Sequence, residues 1–182
     1  MHSVLCADAG LAAHIARRPG LRLPGAWDGL EATIAELLAE ADDPGEALVR
    51  IVGTYGQGHS GAPPGLGFVF PAPERLAVAQ LEDIGIDVGT AQRIRSLAVA
   101  VRDGQLRFSV GQDREALVAQ LSGLVRLGPE RAQWIALRVL GDPDACPLPP
   151  QLLPAAARWR PWRAYAWLHL GAATSDSPLP ET

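Results

Sequence analysis

The chain has no lysine, only two cysteines and no long hydrophobic run, and each of these features limits the kinds of site or protein that the sequence can form. Arginine supplies all sixteen basic residues, and against twenty acidic residues they leave a net charge of −4. Nonspecific binding to nucleic acid depends on clustered positive charge. The composition therefore excludes a broad basic surface and leaves only local basic patches.

The two cysteines, Cys6 and Cys146, are far apart in sequence and have no metal-ligand spacing. We expect neither a disulfide framework nor a metal site, and no bound cofactor. No run of about 18 apolar residues occurs, and no basic region followed by an apolar stretch opens the chain. The sequence thus predicts a cytoplasmic protein with reduced thiols, without a membrane span or a signal peptide.

With 182 residues and 48% hydrophobic composition, the chain can build one domain with a substantial core. Apolar residues recur at helical spacing between Pro, Gly and Asp breaks, and no strand pattern is present. We expect Asp28 to cap a helix and Gly85 to form a tight turn. The predicted helices cover residues 7–18, 28–40, 46–55, a short stretch opened by Pro73, 89–103, 113–121, 130–140 and the final segment "RWRPWRAYAWLHLG". The fold class is therefore all-α.

We expect the single domain to consist of two packed helical lobes. We expect one lobe to combine residues 1–55 with 145–182, and the other to span residues 68–144. The segment "GQGHSGAPPGLG", residues 56–67, has the composition of a flexible loop. Residues 172–182 are expected to form a disordered tail.

Four stretches of the chain occur in an order that matches one known family: "RLPGAWDGLEATIAELL", "FPAPERLAVAQLEDIGIDVGTAQRIRSLAVAVRDGQL", "IALRVLGDPDA" and "RWRPWRAYAWLHL". Together they resemble the catalytic helical part of AlkA-type DNA-3-methyladenine glycosylases, which belong to the helix-hairpin-helix superfamily. The resemblance covers residues 7–169 and implies that fold. It also implies three functional parts: a pocket that stacks a flipped base, a carboxylate that stabilises the transition state, and a hairpin that grips DNA.

The hairpin of the family has the pattern Leu-Pro-Gly-Ile-Gly, which residues 124–128 match as Leu-Val-Arg-Leu-Gly. Gly128 is kept, whereas Arg126 stands at the position of the first glycine, where a close approach of the backbone to phosphate needs a small residue. The resemblance implies that Arg126 and Gly128 contact DNA. The alternative is that Arg126 is a solvent-exposed arginine on a structural turn.

The resemblance places Pro150 at the position of the catalytic aspartate, and proline cannot perform that chemistry. We expect Asp142 and Asp144, a few residues earlier, to be turn and capping residues.

Candidate replacements for the missing acid are Glu130, Glu40 and Asp43. A buried carboxylate beside tryptophan would have a raised pKa, which would suit an acid. The alternative is that Glu130 and Glu40 are solvated helix residues, Glu130 being favourably placed in a first helical turn.

The base pocket of the family has changed as well. Its Trp-Thr-Ala-x-Tyr pattern after the hairpin is matched by residues 130–134. Trp134 is an aromatic residue at the position of the tyrosine. We expect Trp134, Glu130 and Arg131 to line the cleft. A tryptophan near the end of the last family helix is matched by Gly171. The aromatic and basic stretch at 158–167 is expected to serve core packing rather than contacts with nucleic acid.

Together these differences favour a glycosylase scaffold that has lost base excision. The first hypothesis is a new use of the cleft between the lobes, for binding a small molecule or for different chemistry. One alternative is an active or residual DNA-3-methyladenine glycosylase in alkylation-damage repair. The other is a non-catalytic module that binds DNA, weakly, or a protein.

Overall fold

Helices dominate the computed structural model, which describes residues 2–63, 67–109 and 111–174. The α-helices are α1 His2–Cys6, α2 Ala9–Arg17, α3 Gly29–Leu37, α4 Pro44–Tyr55, α5 Pro73–Leu76, α6 Val88–Arg102, α7 Arg114–Val125, α8 Pro129–Leu140, α9 Leu153–Ala156 and α10 Arg163–Thr174. Short 3-10 turns occupy Leu81–Ile84, Pro150–Leu152 and Ala157–Trp159. The predicted all-α fold class is confirmed.

One short pair of strands departs from the prediction that the chain has none. Strand β1, Gln57–Gly58, pairs antiparallel with β2, Phe68–Val69, so that Gln57 lies opposite Val69. Two residues per strand are too few to produce a detectable alternation of apolar and polar positions. The strands lie at the ends of the predicted loop 56–67, of which residues 64–66 are outside the described residues. In the predicted tail 172–182, α10 continues to Thr174 and the remainder is likewise outside them.

Aspartate begins five of the helices within the described residues. Each carboxylate accepts a hydrogen bond of 2.7–2.9 Å from a backbone amide two or three residues later, which satisfies a donor that the helix itself leaves unpaired. The capping residues are Asp8, Asp28, Asp43, Asp87 and Asp113. The predicted cap at Asp28 is confirmed. The cap at Asp8 begins α2, which lies within the predicted helix 7–18, whereas the preceding helix α1 was not predicted.

Three helix boundaries differ by three residues or more from those predicted. Helix α3 ends at Leu37, before the predicted residue 40, and α7 continues to Val125, beyond the predicted residue 121. The last helix begins only at Arg163, because Pro161 cannot lie in a helix interior. The predicted turn at Gly85 is confirmed by its φ of +80°.

Buried side chains of the described residues form one large and two small apolar clusters. The large cluster unites α3, α4, α6, α7 and α8, with Ile34, Ile51, Ile94, Leu121 and Ile135 fully buried. It thus includes α3 and α4, which the sequence grouped with the other lobe, because α3 packs against α6 and α8.

One of the small clusters joins α1 and α2 to the carboxyl-terminal segments. It contains Leu5, Leu11, Cys146 and Trp159. The indole nitrogen of Trp159 donates to Asp8 Oδ2 at 2.8 Å, and Arg158 pairs with the same carboxylate at 2.9 Å. The hydrogen bond from Trp159 is the main cause that lowers the pKa of Asp8. The first helices are therefore held by the last sixth of the described chain.

None of the helices in the described part of the chain has the length and apolar character needed to cross a membrane.

Candidate DNA-binding hairpin and base pocket

Helices α7 and α8 are joined by a tight hairpin that contains an unusual arginine conformation. Arg126 ends α7 with φ 52° and ψ 37°, in the left-handed region that side chains with a Cβ rarely adopt. Gly128 then turns back with φ −59° and ψ 153°, and α8 starts at Pro129. The tight turn is therefore formed although Arg126 replaces the family's glycine.

Two interactions hold the hairpin in place. Leu127, between Arg126 and Gly128, is only 3% exposed and belongs to the large apolar cluster. Arg93 of α6 donates from Nε to the carbonyl of Val125 at 2.7 Å, which satisfies one of the carbonyls at the end of α7. Helix α6 and the core thus fix the shape of the hairpin.

The hairpin borders a surface recess of about 400 Å³. Its lining residues are Glu40, Arg93, Arg126, Gly128, Pro129, Glu130 and Arg131. Arg126 is exposed and has no ion pair among the described residues, and a Cβ added at Gly128 would meet no atom within 4 Å. The positive end of the α8 dipole is therefore open to an anion and has a free guanidinium beside it.

Arg131, the third residue of α8, is held by two glutamates of the α3 region. Its Nε lies 3.4 Å from Glu36 Oε1 and its Nη2 lies 3.1 Å from Glu40 Oε1. Burial raises the pKa of Glu36, while the nearby Arg131 and Arg138 act in the opposite direction. Sequence reasoning missed Glu36. Its spacing of four residues from Glu40 was the available signal that both face α8.

The three candidate replacement acids do not converge on one point. Glu130 is exposed in the first turn of α8, and Glu40 is exposed and pairs with Arg131. Asp43 accepts the amide hydrogen of Glu46 at 2.8 Å as the cap of α4. Only Glu40 and Glu130 line the same recess.

Pro150, which the resemblance places at the position of the catalytic aspartate, is exposed and begins a 3-10 turn. Two leucines that follow it, Leu152 and Leu153, are also exposed, at 47% and 36%. The segment thus presents an apolar surface where the resemblance expects a carboxylate.

Asp142 and Asp144 lie in a turn, as predicted, and they also bind arginines, which was not predicted. Arg163 donates from Nε and Nη2 to the two carboxylate oxygens of Asp144, both at 2.7 Å. Arg114 donates to Asp142 at 2.8 Å, and Asp142 also accepts the amide hydrogen of Asp144. The turn after α8 is thereby fixed to α7 and α10.

Trp134 of α8 packs against Trp167 of α10, with ring centroids 5.1 Å apart and planes inclined by 53°. The guanidinium of Arg138 lies over the Trp134 ring, 5.8 Å from its centroid. Sequence reasoning missed Trp167 as a partner of Trp134, because the contact depends on how two distant helices meet. Gly171, one turn further along α10, is exposed, and an added Cβ there would meet no atom within 4 Å.

Within residues 2–63, 67–109 and 111–174, no three His, Cys, Asp or Glu side chains come together in a way that could hold a metal ion.

Comparison with family models finds no match for the chain, but individual relatives are similar. It is 33% identical over 186 residues to a probable bifunctional transcriptional activator/DNA repair enzyme AlkA of Mycobacterium tuberculosis, covering 91% of this chain and 38% of the relative. It is 32% identical over 175 residues to DNA-3-methyladenine glycosylase 2 of Escherichia coli, covering 85% of this chain and 61% of the relative. The chain therefore spans about two fifths to three fifths of the length of these relatives.

Solved structures show the same fold at lower identity. An 8-oxoguanine glycosylase/lyase of Clostridium acetobutylicum superposes with a TM-score of 0.76 at 15% identity, covering 93% of this chain and 68% of that one. A 3-methyladenine DNA glycosylase of Schizosaccharomyces pombe, solved with abasic DNA, gives 0.69 at 16% identity and 98% coverage of both chains. The chain is therefore similar in sequence to AlkA-type DNA glycosylases over most of its own length, and it has the fold of the helix-hairpin-helix glycosylases.

Proposed function

We propose that this protein binds duplex DNA through its hairpin but has lost base excision. The observation that carries the proposal is the hairpin itself. The backbone keeps the turn that opens α8, even though Arg126 has to adopt a left-handed conformation to form it. Non-glycine residues in unfavourable backbone conformations cluster at functional sites, so the left-handed Arg126 supports a use for the turn.

Phosphate is the part of DNA that suits this site. The open start of α8 and the guanidinium of Arg126 offer hydrogen-bond donors and positive charge to one backbone phosphate. Glu40 and Glu130 line the same recess, and Arg131 is already paired with Glu36 and Glu40. Binding is therefore weak, and its dependence on salt is that of a small number of phosphate contacts.

The loss of excision is supported by the chemistry available near the hairpin. Pro150 offers neither a charge to stabilise an oxocarbenium-like transition state nor a proton to transfer. Asp43 is engaged as a helix cap, Glu40 is paired with Arg131, and Glu130 is exposed. The hypothesis that the cleft between the lobes carries out a different reaction therefore has less support than DNA binding.

Fluorescence anisotropy with a labelled duplex tests the binding. We expect association at about 50 mM salt that weakens about three- to fourfold per phosphate contact at about 200 mM. Arg126→Ala should weaken binding and lower the slope of log affinity against log salt by about 1, as loss of one phosphate contact predicts. Arg17→Ala, which removes an exposed arginine of α2 outside the recess, is the matched control. Failure of the wild type to bind at low salt, or equal binding by Arg126→Ala, would overturn the proposal.

Incubation with alkylated duplex DNA tests the loss of excision separately. We expect no release of 3-methyladenine or 7-methylguanine above that of a heat-killed sample. Release that depends on the native protein would show that a catalytic group other than residue 150 has taken over the reaction.

A further inference from the structure

We infer that the Trp134 and Trp167 pair closes the aromatic pocket beside the hairpin, so that a bound duplex keeps its bases stacked. The inference rests on the proposed DNA binding and specifies the form of DNA that is bound: intact duplex rather than DNA with an extruded base.

Trp134 lies where an extruded base would arrive. It follows Gly128 by six residues along α8, which corresponds to about 9 Å of helix. A base that leaves a duplex held at the start of α8 needs an aromatic or apolar surface on which to stack. Trp134 is half-buried and offers such a surface within reach of the hairpin.

The surface of Trp134 is already in use. Trp167 lies 5.1 Å from it, within the range of centroid distances at which aromatic rings contact each other. Because the two planes are inclined by 53°, a flat base cannot enter between the rings unless one of them moves. Arg138 covers a further part of the Trp134 ring. Side chains of the protein itself therefore occupy the place that an extruded base would take in this pocket.

The pair is fixed by its surroundings. Trp134 packs against a small buried cluster of Leu137, Ala145 and Ala164. Ala164 lies three residues before Trp167 on α10, and its amide donates to the carbonyl of Pro143 at 3.0 Å. The neighbouring Arg163 binds Asp144. Movement of Trp167 away from Trp134 therefore requires α10 to shift, or the side chain to leave a packed position.

Position 171 shows how the pocket can be opened. It lies one helical turn beyond Trp167 on α10, and a larger side chain there has free space next to its Cβ. The double substitution Trp167→Ala with Gly171→Trp moves the indole by one turn, uncovers Trp134 and leaves the number of tryptophans unchanged.

A duplex with a distant dye and an internal 2-aminopurine separates binding from base extrusion, since 2-aminopurine becomes brighter when it is unstacked. For the wild type we expect a rise in dye anisotropy without a rise in 2-aminopurine fluorescence. For Trp167→Ala with Gly171→Trp we expect the same anisotropy and a several-fold brighter base. A several-fold brightening with the wild type, or none with a folded double variant that binds, would overturn the inference.

Equilibrium dialysis against free 3-methyladenine tests the pocket without DNA. The wild type should retain none, while the double variant should retain the base. Measurable retention by the wild type would show an open pocket and contradict the inference, whether or not duplex DNA binds. Absence of anisotropy change would instead refute the proposed DNA binding alone. Circular dichroism checks that the double variant is folded. If the variant does not fold, the wild-type measurements alone test the inference.

Discussion

Arg163 forms a forked ion pair with Asp144 in which both N–O distances are 2.7 Å, and a third bond reaches the carbonyl of Asp144 at 2.8 Å. Arg163 is 9% exposed, so the pair is largely shielded from water. Replacing Asp144 by Asn should leave a buried guanidinium without its counter-charge and lower the free energy of unfolding by about 3 kcal/mol. Urea denaturation monitored by circular dichroism measures the loss.

Arg160 provides the matched control, because it approaches the same carboxylate at 3.6 Å from an exposed position. Arg160→Ala should change the free energy of unfolding by no more than about 0.5 kcal/mol. If both substitutions had equal effects, the stabilisation would belong to the acidic turn as a whole rather than to the buried fork.

Gly29, at the start of α3, lies against the ring of Phe108, which an added Cβ would overlap. Gly29→Ala should therefore lower the stability by about 2 kcal/mol through overpacking. In a Phe108→Ala background the same substitution should cost much less, so that a double-mutant cycle yields a coupling of about 1 kcal/mol or more. An undiminished cost in that background would contradict the steric explanation.

Gly123, within α7, is the corresponding glycine without a close neighbour, since an added Cβ meets no atom within 4 Å. Gly123→Ala should raise the stability by about 0.5–1 kcal/mol, because alanine loses less backbone entropy in a helix. Thermal unfolding of the two variants side by side should therefore give shifts of opposite sign.

Arg126 combines a charge that suits DNA with a backbone conformation that suits glycine. Arg126→Gly should relieve the strain of the left-handed conformation, while glycine increases the entropy of the unfolded chain. We expect strain relief to be the larger effect, so that the free energy of unfolding rises by about 1 kcal/mol. Arg126→Ala should retain the strain and have the stability of the wild type. Chemical denaturation of both variants checks this. A loss of stability in Arg126→Gly would mean that the arginine side chain contributes more to folding than its conformation costs.

Glu82 receives two hydrogen bonds from Arg95, at 2.9 and 2.7 Å, which lower its pKa from 4.5 to about 2. The resulting stabilisation is fully present above pH 4.5 and is lost as the pH falls towards 2. Glu82→Gln should therefore lower the denaturation midpoint at pH 7 and flatten its dependence on pH between about 4.5 and 2. An unchanged pH profile would show that the pair does not persist in solution.

The pKa of Glu36 is shifted in the opposite direction to that of Glu82, because burial raises it above the ordinary value of 4.5. Its contribution to stability is fully present below pH 4.5 and is lost as the pH rises through the folded-state pKa. Glu36→Gln should therefore be more favourable at pH 7 than at pH 4, as measured by urea titrations at the two pH values. The reverse order would mean that pairing with Arg131 outweighs the cost of burial.

Local rules recover much of this fold. The cap at Asp28 and the turn at Gly85 follow from residue types whose conformational preferences act over a few positions. Helix α1 was not predicted, and the 3-10 turn before Pro161 was merged into the last helix because apolar spacing continues across it.

The site was less accessible to sequence reasoning. The rule that favours glycine in left-handed turns argues against the turn at Arg126, and only the packing of Leu127 and the bond from Arg93 show why it forms. The contact of Trp134 with Trp167 depends on the meeting of α8 and α10, which no local pattern encodes. The burial of Glu36 likewise follows from the position of α8, not from the sequence around it.

The hydrogen bond between Trp159 and Asp8 joins residues 151 positions apart, and this separation has a consequence for synthesis on the ribosome. Helices α1 and α2 emerge first, but the side chains that bury Leu5 and Leu11 lie at residues 146–170. The larger cluster, which uses residues 30–136, can close while those partners are still being made. The first helices to be translated are therefore expected to be among the last to acquire their native contacts.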